Sequence, residues 1–302
     1  MFRFIRPGLL GTTIELVIGG CHESTAENEA ERAFDEIGRL EHIFSVFDPA
    51  SELQRWKRGD VSEPSVELHR VLLEAVDWQH RSGGTFNLAV GALIDLWRRS
   101  EALGQMPAPE LLAATVASIE QPPVDIDARD RCQPRPGAEW INLNAFAKGW
   151  IVDRAVERVA LSGDCDQVLI SGGGDLRHWG VHPLRVGIEN PLRPYDNEPP
   201  LAIATLDGTG MATSGSSRRG FTVGGRRYPH VLDPRTGWPV EHTASITVIA
   251  ADAATADVLA TTAGVHPPDV AVEIAQGHGG ACLIVGSDGT VFSNDAWASV
   301  AV

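Results

Sequence analysis

A chain of 302 residues, 43% apolar and 22% charged, can bury a large core, which separates it from disordered and fibrous sequences. With 40 acidic against 25 basic side chains its net charge is -15, which repels phosphate backbones and anionic lipid surfaces over about 8–10 Å and excludes nucleic acid as a partner. An anionic small molecule would need local neutralisation by a divalent cation, backbone amides or a lysine.

TTIELVIGG reads as the opening strand, because Pro7, the glycines and Glu15 break up the N-terminal apolar stretch before any cleavage signal. No window approaches the roughly 20 apolar residues of a spanning helix, so no membrane insertion is expected. Ala30, Ala33, Phe34, Ile37, Leu40 and Phe44 recur at helical spacing and predict an amphipathic helix over 27–47. FDPASEL turns the chain, and a second helix over 65–81 ends at Gly83-Gly84. The run 102–138, rich in proline, alanine and charge, reads as a helix and then a connecting loop, and is the candidate insertion.

A short strand near Trp140 leads to a helix over 147–162 with Lys148 near its start. An apolar strand over 166–171 ends in Gly172-Gly173-Gly174-Asp175, and strands are expected at 184–188, 201–206 and 210–214. SITVIAA then feeds a helix beginning near Ala254, and the strands ACLIVG and TVFSN close the chain. Strands joined by both hairpins and helices predict an α+β fold with mixed sheets, read as one two-lobed domain over 1–302.

Cys21, Cys132, Cys165 and Cys282 form no CxxC or Cys/His cluster, which argues against zinc. A chain of this size needs no disulfide staples, so free thiols and a cytoplasmic location are expected.

Asp257 and Thr261 are four residues apart on the last predicted helix and place a carboxylate and a hydroxyl on one face. Two hard oxygens suit Mg²⁺, which leaves other positions to waters and substrate phosphates, although an isolated Asp-xxx-Thr is ordinarily just a polar helix face. Lys148 at a helix start offers a point charge for a phosphate beside backbone amides, and the carbonyl of Ala145 in the preceding loop can complete a metal shell. SGGGDL lacks GxGxxG spacing, so its glycines read as a tight turn or a close backbone approach. TSGSSRRG supplies hydroxyls, Ser214 among them, and two arginines suited to a dinucleotide, or else an ordinary polar hairpin. His230 has no GxSxG elbow nearby, so serine acyl transfer is not expected.

The blocks GTTIELVI, FSVFDPASEL, GGTFNLAVGALIDLW, NLNAFAKGWIVD, VLISGGGDL, VGIENP, MATSGSSRRG, HVLDPRTGWP and ADVLATT, in this order, resemble the ApbE family of FAD:protein FMN transferases over nearly the whole chain. The resemblance implies Mg²⁺-dependent transfer of FMN from FAD to a threonine of an acceptor flavoprotein, with release of AMP. It implies Mg²⁺ ligands at Asp257, Thr261 and the Ala145 carbonyl. FAD-lining positions fall on Leu10, Phe47, Thr85, Phe86, Asn87, Asn142, Lys148, His230 and Val231, with core packing the plainer role for Phe47 and Phe86. Asn87 and Asn142 stand where the family commonly has Asp, and Leu10 and Phe47 where it commonly has Met and Tyr. His230 and Asp233 are the candidate bases. The rival readings are an FAD pyrophosphatase giving FMN and AMP, and a non-catalytic FAD-binding protein.

Overall fold

The computed structural model describes residues 1–195, 197–215 and 220–302. Strands β1 (Phe2–Leu9) and β2 (Thr12–Gly19) form an antiparallel hairpin, so the expected opening strand is the second of a pair. Helix α1 (Glu23–Phe44) starts and ends before the expected bounds, because the Ser45 hydroxyl accepts from the amides of Phe47 and Asp48 and turns the chain there. The expected turn then contains a short helix, α2 (Glu52–Lys57), capped by Ser51. Ser65 caps α3 (Val66–Arg81), which lies within the expected bounds.

Helix α4 (Gly91–Leu103) has no counterpart in the sequence reading, and α5 (Pro109–Ser118) fills the first half of the candidate insertion. The second half is not only loop, since β3 (Val124–Ile126) and β4 (Cys132–Pro134) make a small hairpin. Ala138–Trp140 is a 3-10 turn rather than a strand, and α6 (Ala147–Ala160) follows. Then come β5 (Gln167–Gly172), β6 (Asp175–Gly180), β7 (Leu184–Ile188), β8 (Ala202–Leu206), β9 (Gly210–Gly215), β10 (Gly220–Val223) and β11 (Arg226–Pro229). The chain closes with β12 (Thr243–Ala250), α7 (Ala253–Gly264), α8 (Pro268–Gly277), β13 (Ala281–Gly286), β14 (Val291–Ser293) and α9 (Asp295–Val300).

The main sheet has eight strands in the order β1-β2-β5-β6-β9-β12-β13-β14. The α+β class holds, but every strand pair among the described residues is antiparallel, where mixed sheets were expected. Both faces of the sheet are covered, which is why all of β12 is buried, Thr243, Ser245 and Thr247 included. Ile246 and Val248 join Cys282 and Ile284 in a core built with α1, α6 and α7, while Ile249 and Leu283 point the other way into a cluster with Met211, Leu206 and Trp297. A third cluster packs Trp97 of α4 against Phe221 and Tyr228, and the Trp97 indole donates to the Gly237 carbonyl at 2.8 Å.

The start of α7 is wedged between α6 and β9. A methyl group on Gly149 would collide with the Ala253 carbonyl, and one on Gly210 with the backbone of Asp252 and Ala253, so both positions need glycine. No helix among the described residues is long and apolar enough to cross a membrane.

The expectation of four free thiols does not hold. Cys21, just after β2, and Cys165, just before β5, form a disulfide with Cα atoms 4.9 Å apart, inside the usual range. Neighbouring strands bring together residues 144 apart in sequence, and the premise for a reducing compartment falls with the free thiols. Cys132 and Cys282 are free and buried. Unfolding the unreduced protein with a thiol-alkylating reagent should therefore label Cys132 and Cys282 only, and prior reduction should add Cys21 and Cys165, as read by peptide mass.

Candidate functional site

The three cores meet around one cavity of about 830 Å³, within the range of small-molecule and cofactor sites. It is lined by Ala145 from the loop before α6 and Lys148 from its first turn, by Asp257 and Thr261 from α7, by the Gly173-Gly174 turn, and by His230 and Val231. Thr85, Phe86, Asn87, Asn142 and Ser214 line it as well. Residues spread over most of the chain, several singled out only by type and spacing, thus share one wall.

Three positions fall elsewhere. Leu10 (φ 53) and Gly11 (φ 67) form the tip of the β1–β2 hairpin, with both residues in the left-handed region as a two-residue turn requires. Leu10 packs against the main core from there, and the hairpin gives Thr12 to the cavity instead. Phe47 is 73% exposed on the turn after α1 and is not among the lining residues. Asp233 is also outside the lining: its carboxylate accepts from the Arg235 amide at 2.9 Å and from the Arg235 guanidinium, closing the DPRTG turn. His230 is the imidazole that lines the cavity. The hydroxyls and arginines of TSGSSRRG beyond Gly215 lie outside the described residues.

The charges at the floor are unbalanced. Lys148 pairs closely with Asp175, the first residue of β6, and its ammonium lies 3.9 Å from Asp257 Oδ2. Both carboxylates are buried, Asp175 at 1% exposure and Asp257 at 6%, so two acids share this lysine in a poorly solvated place. Burial, reinforced by the Asp175 charge, pushes Asp257 up to about 8, against the pull of Lys148 and of the Gly149 amide, which donates to it. Burial likewise raises Asp175 despite Lys148. Asp257 Oδ2 accepts no hydrogen bond among the described residues. A buried carboxylate oxygen left in that state lacks a cation or donor.

A divalent metal fits this place. Its donors would be the Asp257 carboxylate, the Thr261 hydroxyl and the Ala145 carbonyl, a hard-oxygen set suited to Mg²⁺. Among the described residues no three His, Cys, Asp or Glu converge as zinc would require. The sequence reading quoted Asp175 without a role. Gly173 (φ 64) and Gly174 (φ 103) make a tight β5–β6 turn that brings it beside the lysine, a pairing across 27 positions that no local pattern shows.

The ApbE family model matches residues 10–284, which include every lining residue. The chain belongs to the ApbE family. A protein of Haemophilus influenzae named FAD:protein FMN transferase is 29% identical over 88% of this chain and 81% of its own length. An Escherichia coli K12 protein of the same name is 26% identical over 94% of this chain and 84% of its own. The crystal structure of the ApbE protein of Thermotoga maritima superposes with a TM-score of 0.85 at 26% identity, covering 99% of this chain and 98% of that one.

Where this ApbE sequence has amides in place of the common acids, both serve the local backbone. Asn142 Oδ1 accepts from the Asn144 amide at 3.0 Å and Asn87 Oδ1 from the Ala89 amide at 2.8 Å, which Asp would also do. Asn87 Nδ2, however, donates to the Ile119 carbonyl at 2.9 Å in a buried setting, which a carboxylate does not do. Asn87→Asp should destabilise the chain by about 1–3 kcal/mol in urea unfolding, whereas Asn142→Asp should leave the midpoint nearly unchanged.

Proposed function

We propose that this chain transfers the FMN part of FAD to a threonine of an acceptor protein and releases AMP, with Mg²⁺ held by Asp257, Thr261 and the Ala145 carbonyl. The observation that carries the reading is the buried, under-compensated pair of carboxylates around Lys148 at the floor of a cavity sized for a dinucleotide. Its support from outside the chain is the shared name of the Haemophilus influenzae and Escherichia coli relatives.

An isolated -15 chain repels a diphosphate, so the site itself must reverse the sign of the local field. Mg²⁺, when bound, supplies charge neutralisation at the pyrophosphate oxygens. Lys148 lies against Asp175 and so presents its ammonium from a fixed position rather than from a free chain. The first-turn amides of α6 add partial positive charge at the same end. The Gly173-Gly174 turn has no side chains and admits the substrate close to the backbone.

In the transfer, the threonine oxygen forms a bond to the FMN phosphorus while the bridging oxygen on its far side leaves with AMP. The hydroxyl proton goes to His230, which lines the cavity, while Asp233 is occupied by Arg235. Positioning and electrostatics dominate such a reaction, so loss of the carboxylate that holds the metal should be severe. Asp257→Ala should lower the rate of FMN attachment at least about 100-fold, measured as the mass of a flavinylated acceptor with FAD and Mg²⁺ present. A parental rate from this variant contradicts the metal assignment.

A further inference from the structure

Asp153 lies on the α6 face that meets α7, four residues after Gly149 and away from the cavity lining. It is 3% exposed. Its two carboxylate oxygens accept from two successive amides of the neighbouring helix, Ala253 N and Ala254 N, each at 2.9 Å. Asp252 accepts from Thr255 N at 2.7 Å in the usual N-cap manner, so Asp153 serves the two first-turn amides that this cap leaves over. Arg177 of β6 completes the arrangement: its Nε lies 3.5 Å from Asp153 Oδ1 and its guanidinium donates to the Ala251 carbonyl. Burial pushes the Asp153 carboxyl up to about 6, against the pull of the two amides and of Arg177.

Two layers of charge therefore tie the same three elements together. The layer facing the cavity is Lys148 of α6, Asp175 of β6 and Asp257 of α7. The layer behind it is Asp153 of α6, Arg177 of β6 and the first amides of α7. Gly149 links the layers, since it packs on Ala253 and its amide donates to Asp257, one turn farther along α7.

We infer that Asp153 is the positioning residue of the metal site: by gripping two adjacent amides it fixes the rotation of α7 about its axis, and so the direction in which Asp257 and Thr261 present their oxygens. The inference rests on the metal reading above. Two oxygens on two consecutive amides hold the start of the helix against a roll more firmly than a single hydrogen bond would. A roll of about 20° would carry side-chain oxygens about 5–6 Å off the axis through about 2 Å, the length of a whole Mg²⁺–oxygen bond. Partners that orient metal ligands typically change metal affinity by about 10–100-fold when removed.

The test uses the intact chain with Mn²⁺ as a spectroscopic substitute for Mg²⁺. Mn²⁺ affinity in the presence of FAD is read from the paramagnetic signal of the free ion, and FAD affinity without metal from flavin fluorescence in chelator. Asp153→Asn, which replaces one acceptor oxygen by a donor facing an amide, should weaken Mn²⁺ binding about 10–100-fold while metal-free FAD affinity stays within about twofold. Unchanged Mn²⁺ affinity in the variant overturns the inference, and so does a parallel fall in metal-free FAD affinity, which marks a merely structural role. Should Asp153→Asn fail to fold, Arg177→Gln keeps both amide bonds but frees the carboxylate on its other side. That variant should weaken Mn²⁺ binding by about 3–10-fold with FAD affinity preserved, and parental Mn²⁺ affinity there overturns the inference. Asp257→Ala distinguishes the two levels: equal Mn²⁺ binding by it and the parent sinks the metal reading itself, whereas a large loss there with parental binding by Asp153→Asn sinks only the positioning role.

Discussion

Two buried carboxylates contend for one lysine, and the remaining features of the site serve or answer that contention. Taking a carboxylate out of water costs several kcal/mol unless the charge is matched. Lys148 matches Asp175 closely and Asp257 only at 3.9 Å, which leaves Asp257 Oδ2 without a hydrogen bond among the described residues. A molecule that is acidic overall thus keeps a deep place where a cation would be favoured.

The fold brings that place into being by crossing two helices over the middle of an antiparallel sheet. Strand β6 delivers Asp175 straight from a glycine turn, α6 delivers Lys148 in its first turn, and α7 brings Asp257 and Thr261 on one face. Close approach of these elements depends on missing side chains as much as on present ones: Gly149 and Gly210 let the start of α7 sink between α6 and β9. Helix α7 is buried almost all round, so its polar residues are exceptions in an apolar element. Such exceptions are where function is to be sought.

Much of this was legible in sequence. The helical spacing of Ala30, Ala33, Phe34 and Ile37 led to α1, the Gly83-Gly84 stop to the end of α3, and the Asp257–Thr261 spacing to two oxygens lining one cavity. What escaped was of two kinds. Short elements such as α2 and the β3–β4 hairpin carry too few residues to show a period. Pairings between distant segments leave no local trace, so the Cys21–Cys165 disulfide and the roles of Asp175 and Asp153 required the folded chain. Leu10 and Phe47 lie outside the cavity lining, on a hairpin tip and an exposed turn, whose direction the order of motifs does not give.

The central claim is that a divalent cation resolves the imbalance at Asp257 and does so beside the substrate's diphosphate. Anomalous diffraction from crystals grown with FAD and Mn²⁺ addresses it directly. The account predicts a manganese peak within bonding distance of the Asp257 carboxylate, the Thr261 hydroxyl and the Ala145 carbonyl, in contact with the FAD pyrophosphate. FAD seated in the cavity with no metal at those oxygens, or with manganese bound elsewhere, would contradict it.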